Sequence, residues 1–127
     1  VIEFVSPAQE RGGRAGGIPG KWVAYLRKGV GLVIVDIVTE HPTDFHNLLL
    51  DALNSGPDGR LPTKSPTYVM GYRPVRRRSG GAEMEVWVNP APLGEPIPAV
   101  PLGLRRGPVV TLDLEGTYSQ ALSDCNL

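Results

Sequence analysis

The chain has a single cysteine, Cys125, no excess of charge of either sign, no starting methionine and no long apolar run. Each shortage removes a class of protein. One thiol cannot close an internal disulfide or build a thiolate metal cluster, which fits a reducing compartment, and cytoplasm is the expected location. With 13 basic and 13 acidic side chains among 127 residues the formal net charge is zero. That balance argues against a nucleic-acid or membrane-surface binder working by bulk charge. Hydrophobic residues make up 41% of the chain, but their runs stop well short of the roughly 18 apolar residues that a membrane span needs, so no membrane partner is expected. Val1 opens directly into a strand-like run without a charged leader, and the expectation is a single α/β domain over residues 1–127, the C-terminal part of a longer protein.

Glycine and proline are plentiful, with 16 and 13 residues, and they cluster at 12–20, 56–66 and 90–108. Between these clusters Val1 to Ser6 reads as a strand, Lys21 to Lys28 as a short helix stopped by Gly29 and Gly31, and Leu32 to Val38 as an almost wholly apolar strand. The last pattern is that of a strand covered on both faces and joined to a parallel neighbour by the helix. Thr43 is a reasonable helix cap, and Phe45, Leu48, Leu49, Ala52 and Leu53 form the stripe of an amphipathic helix that ends near Asn54. The period then changes to two. Thr67 to Val75 and Ala82 to Val88 read as an antiparallel hairpin, with Pro74 favouring an edge position for its first strand. Residues 90–108 hold too many prolines for regular structure and are expected to pack across the sheet as an extended, polyproline-like stretch. Asp113 caps a terminal helix in which Leu114, Tyr118 and Leu122 recur every four residues. The fold class is therefore α/β: a mixed sheet with a parallel strand-helix-strand core, an added antiparallel hairpin and a C-terminal helix.

Alternation on the first strand puts Glu3 among apolar neighbours, and a buried ionised carboxylate needs a cation or a metal. Asp36 poses the same question near the C-terminal end of its strand, where open α/β sheets place their ligands. Two such acids on neighbouring strands make Glu3 and Asp36 candidate ligands of Mg²⁺ or Ca²⁺, although each can equally cap a loop or pair with Lys21 or an arginine. Lys21, Tyr25 and Lys28 lie on one polar helix face, from which Lys21 can reach Glu3 as an electrostatic catalyst or remain solvated. The glycine-rich loop from Glu10 to Gly20 lacks the Gly-Lys-Ser/Thr of a phosphate cradle and reads as a flexible connection. His41 and His46 do not have a zinc spacing, and His46, at the boundary of its helix stripe, reads as a hydrogen-bonded structural histidine. Arg73, Arg76, Arg77 and Arg78 form the only basic run, which Glu83 and Glu85 can partly neutralise across the hairpin.

Glu3, Ser6 and Pro7, then Lys21, Tyr25 and Leu26, Gly29 and Val30, and the run from Leu32 through Asp36 to Thr39 together resemble a bacterial family catalogued as a domain of unknown function (DUF four-zero-five-eight). Phe45 and His46, Tyr72 and Arg73, Glu85 and Trp87, Ile97 and Pro98, Leu112 to Leu114 and Tyr118 follow in similar order, so the resemblance covers nearly the whole chain. The same order is similar to the Uma-two group of nucleases, of PD-(D/E)XK-like fold. That resemblance implies Glu3 as a metal-binding acid, Lys21 as a catalytic lysine on the helix, Mg²⁺ as cofactor and nucleic acid as partner. The sequence departs from the pattern in having no Glu-x-Lys at Glu3, and the Asp expected ahead of that Glu would fall upstream of Val1. An incomplete metal site is the first expectation. The alternative is a non-catalytic structural or protein-interaction module, because the arginine-rich hairpin tip and the proline-rich stretch suit a protein partner as well as phosphate.

Overall fold

A computed structural model describes residues 1–5, 17–37, 44–61, 67–76 and 78–125. Ser6, the loop through Gly16, Val38, Thr39, His41, Thr43 and Arg77 lie outside the described residues. The elements in chain order are β1 (Ile2–Phe4), α1 (Gly17–Arg27), β2 (Leu32–Asp36), α2 (Phe45–Ala52), β3 (Tyr68–Arg76), β4 (Ala82–Pro90), β5 (Val100–Gly103), β6 (Val109–Leu112) and α3 (Leu114–Asp124). A four-stranded sheet runs β1-β2-β3-β4, with β1 parallel to β2 and the remaining neighbours antiparallel. The mixed α/β sheet, its parallel pair joined through α1, the hairpin and the C-terminal helix all stand as the sequence pattern implies.

Paired residues share a face, so Glu3, Ile34, Met70 and Val88 project to one side of the sheet. Helices α1 and α2 cover that side. Trp22, Val23 and Leu26 from α1 and Phe45 and Leu49 from α2 are buried against Leu32, Ile34, Met70 and Tyr72. Trp22 and Phe45 meet edge to face with ring centroids 5.9 Å apart, which locks the two helices together. Helix α1 begins at Gly17, four residues earlier than the sequence reading. The first turn of a helix has no intrahelical partners for its N–H groups, so Pro19 is tolerated there. Gly29, at φ 75°, closes the other end: its N–H donates to Leu26 O and that of Val30 to Tyr25 O. Asp44 rather than Thr43 caps α2, its carboxylate accepting from Asn47 N at 3.1 Å.

The opposite face corrects the reading of the proline-rich stretch. Residues 100–112 form a two-stranded antiparallel ribbon, β5 with β6, in which Pro101 stands opposite Thr111. Each strand of a two-stranded ribbon has one open edge, where a residue without an N–H is accommodated. The ribbon does lie across the sheet: Val100 is buried against Val33, Val35 and Val69. Gly31 and Gly71 admit it, because a Cβ at Gly31 would stand 2.0 Å from Gly103 O and one at Gly71 would stand 2.9 Å from Pro101 O. Pro74 does not put β3 on the edge, since β3 lies between β2 and β4. Pairing with β2 ends at Leu32 opposite Tyr72, so at Pro74 the strand has only β4 beside it. Asp113 caps α3 as expected, accepting from Gly116 N at 2.8 Å. The stripe on α3 is not core, however, as Tyr118 is exposed and no residue of the helix is buried.

Candidate functional site

The helix-covered face brings Glu3 and Lys21 together. Lys21 Nζ lies 2.8 Å from Glu3 Oε1, with the Glu3 side chain 15% exposed and that of Lys21 54% exposed. The same ammonium stands 5.8 Å from the Tyr25 ring centroid, so one helix turn presents both a cation and the aromatic face that steadies it. The hydrogen bond and charge of Glu3 raise the pKa of Lys21 above its ordinary value, and the lysine is a cation at all physiological pH values. This is the cation that a carboxylate among apolar residues demands.

Asp36 lies on the same face, one strand over and two residues further along, in register with Tyr68. It is 1% exposed. A hydrated Mg²⁺ keeps several waters and near-octahedral geometry, and Glu3 has an accessible side from which to offer an oxygen. Asp36 at its observed burial has none. Among the described residues no group of three or more His, Cys, Asp or Glu side chains is placed to hold a metal ion. The face therefore presents one accessible carboxylate, its lysine and a second, covered acid, which does not amount to a metal cage.

A buried polar centre adjoins it on the same face. His46 Nε2 is 2.8 Å from Gly59 O, and His46 Nδ1 is 2.6 Å from Tyr72 Oη. A carbonyl only accepts, so Nε2 carries the proton, and in the neutral ring Nδ1 accepts from the Tyr72 hydroxyl. The His46 backbone N–H donates to Tyr68 Oη at 3.2 Å. His46 is fully buried rather than at the boundary that its own helix stripe indicates. Tyr68 and Tyr72, four apart on β3 and so on one face, extend the covered surface around it. Its expected role as a hydrogen-bonded structural residue agrees with these partners. The chain after α2 is fastened to the helix at further points: Asn47 exchanges two hydrogen bonds with Leu61, at 2.9 and 3.0 Å, and Arg60 pairs with Asp51 at 2.6 Å.

Burial pushes the tyrosines up and the histidine down. Desolvation is the largest cause at Tyr68, with the charges of Asp36 and Asp44 adding to it, and desolvation again leads at Tyr72. A raised phenol pKa leaves stability intact below pH ~10 and removes it as the pH climbs beyond, because only the unfolded chain then ionises. Spectrophotometric titration should therefore show two of the four tyrosines ionising only as the fold is lost. Free titration of all four near pH 10 would show that neither phenol is buried.

The hairpin arginines separate. Arg73 pairs with Glu85 across the strands at 3.4 Å, as cross-strand neutralisation requires, whereas Arg76 is exposed at the strand end. Arg76 joins a basic cavity that the sequence did not single out. Its lining comes from the end of α1 (Arg27, Lys28, Gly29), the end of β3 (Arg76) and the β5–β6 turn (Arg105, Arg106). The sequence marks only Lys28, on the helix face, and Arg76, in the hairpin run, and nothing in it links them to each other or to Arg27, Arg105 and Arg106.

No protein-family model matches the chain, and no curated protein or solved structure matches it.

Proposed function

We propose that this chain is a nuclease-like α/β domain of a bacterial, cytoplasmic protein that keeps the acid and lysine of a metal-dependent site without completing the metal cage. What supports the reading is the Glu3–Lys21 pair at 2.8 Å on the face that also carries Asp36. A carboxylate and an ammonium held this closely can share a water, which donates to the one and accepts from the other, the lysine stabilising negative charge as it develops. With Asp36 covered, Glu3 offers a divalent cation a single carboxylate, and the domain does not cleave DNA by itself. The lone exposed Cys125 supports a reducing compartment, and no helix among the described residues is long and apolar enough to cross a membrane.

Calorimetry with Mn²⁺ on the chain and on Glu3→Gln, run beside a plasmid-nicking assay, tests this reading. The expected result is weak Mn²⁺ binding, lost in Glu3→Gln, with no nicking. Metal-dependent nicking abolished in Glu3→Gln would show a complete site and overturn the claim of incompleteness. Equal Mn²⁺ binding by both proteins would remove Glu3 from any metal site. It would favour the second reading, a non-catalytic structural or protein-interaction module in which Lys21 simply neutralises Glu3. The 1% exposure of Asp36 speaks for that alternative.

A further inference from the structure

We propose that the basic cavity at the opposite end of β2 from Asp36 binds a compact ligand carrying two adjacent phosphate groups. The cavity has a volume of about 310 Å³, at the lower end of the range for small-molecule sites, and Arg27, Lys28, Arg76, Arg105 and Arg106 line it together with Gly29. In a chain of zero formal net charge, this gathers five cations around one concavity. The ion pairs of Lys21 with Glu3, Arg60 with Asp51 and Arg73 with Glu85 use none of the five. Mutual repulsion opposes such a cluster, and an anion relieves it.

The backbone gives a second, independent observation. Gly107 N donates to Leu104 O at 3.1 Å, closing a turn with Arg105 and Arg106 at its centre. Arg106 there adopts φ 55°, in the left-handed region. The other non-glycine residue in that region, Asn54 at φ 52°, is a type that tolerates it, whereas arginine is not and glycine is the unstrained choice. Strain at one position that delivers a guanidinium to a cavity is the kind found at ligand clamps.

The geometry favours a diphosphate over the other phosphate ligands. A single phosphate brings about two charges to five cations. Nucleic acid spreads about one charge per 1.7 Å along its axis, so only a short stretch of it could face one compact concavity. Two adjacent phosphates match both the charge and the compactness. A second cavity of about 290 Å³, sharing Gly29, Arg76 and Arg106 and continuing past Arg73 to Gly103 and Gly107, gives an organic substituent room to extend. This site shares no residue with Glu3, Lys21 or Asp36, and it does not depend on the nuclease-like reading.

Titration calorimetry of the 127-residue chain with inorganic pyrophosphate, orthophosphate, ADP and a short single-stranded oligonucleotide tests the assignment. Pyrophosphate is expected to bind at least tenfold more tightly than orthophosphate, with an affinity that falls as NaCl is raised. ADP binding more tightly than pyrophosphate would assign the second cavity to the organic part, and equal binding would leave it unused; both support the diphosphate site. The Arg105→Ala/Arg106→Gly double variant, which also relieves the turn, should keep the native melting transition and lose affinity at least tenfold. Arg60→Ala, with the same loss of charge per site away from the cavity, should bind as the parent does. Absence of pyrophosphate binding, unchanged affinity in a folded double variant, or an oligonucleotide that outcompetes pyrophosphate would each overturn the proposal.

Discussion

Gly31→Ala is expected to destabilise the protein by about 3 kcal/mol, one of the two largest effects foreseen for a single substitution. The new methyl group would stand 2.0 Å from Gly103 O and 2.9 Å from Gly103 C, and both are backbone atoms that cannot swing aside. The ribbon would have to lift from the sheet, drawing Val100 away from Val33, Val35 and Val69. Two neighbouring glycines separate this clash from conformational effects. Gly29→Ala meets nothing within 4 Å but keeps φ 75°, so it should cost about 1–2 kcal/mol of backbone strain. Gly20→Ala, helical and unobstructed, should stabilise by about 0.5–1 kcal/mol. Urea denaturation followed by tryptophan fluorescence ranks the three. A Gly31→Ala midpoint equal to that of the parent would mean that β5 does not lie against the start of β2.

That ribbon is also where the sequence was least legible. The sheet and its helices could be read because each carries a period of its own: continuous apolar residues in β2, alternation in β3 and β4, and a stripe in α2 ahead of turn-forming residues at 54–59. β5 is four residues long and contains Pro101, so local propensity argues against a strand there, and β6, although Val109, Val110 and Thr111 favour a strand, is equally short. Their pairing with each other and the glycines that let β5 approach the sheet outweigh that propensity, and neither is visible in a local window. The Glu3–Lys21 pair could be anticipated because alternation on one short strand places a carboxylate where it requires a cation. The basic cavity could not, since Lys28, Arg76 and Arg105 become neighbours only when three elements end at the same edge of the fold. His46 was half legible. Its role follows from residue type, but its depth depends on two tyrosines from β3, which a helical projection of α2 does not contain.

Those two tyrosines make His46 the site of the other large effect. His46→Ala should cost about 3 kcal/mol, because it opens a cavity among fully buried side chains and strands the buried Tyr72 hydroxyl without its partner. The histidine also gives the fold an acid limit of its own. Burial is the largest cause acting on His46 and lowers its pKa below 6.5, so the native state holds the ring neutral at a pH where the unfolded chain takes up a proton. The stabilisation is fully present above pH ~6.5 and is lost as the pH falls toward the native pKa, with a slope of at most about 1.4 kcal/mol per pH unit for one proton. Protonation also turns Nδ1 from an acceptor into a donor, so the Tyr72 hydroxyl has to turn its own proton away and accept, while Nε2 goes on donating to Gly59. Urea midpoints measured between pH 7.5 and 5 should fall for the parent and fall less for His46→Gln, which keeps a polar side chain but does not titrate. Groups that the two proteins share act on both profiles and cancel in the difference. Parallel pH profiles for the two proteins would show that His46 is not held neutral by burial, and the polar centre around it would have to be redrawn.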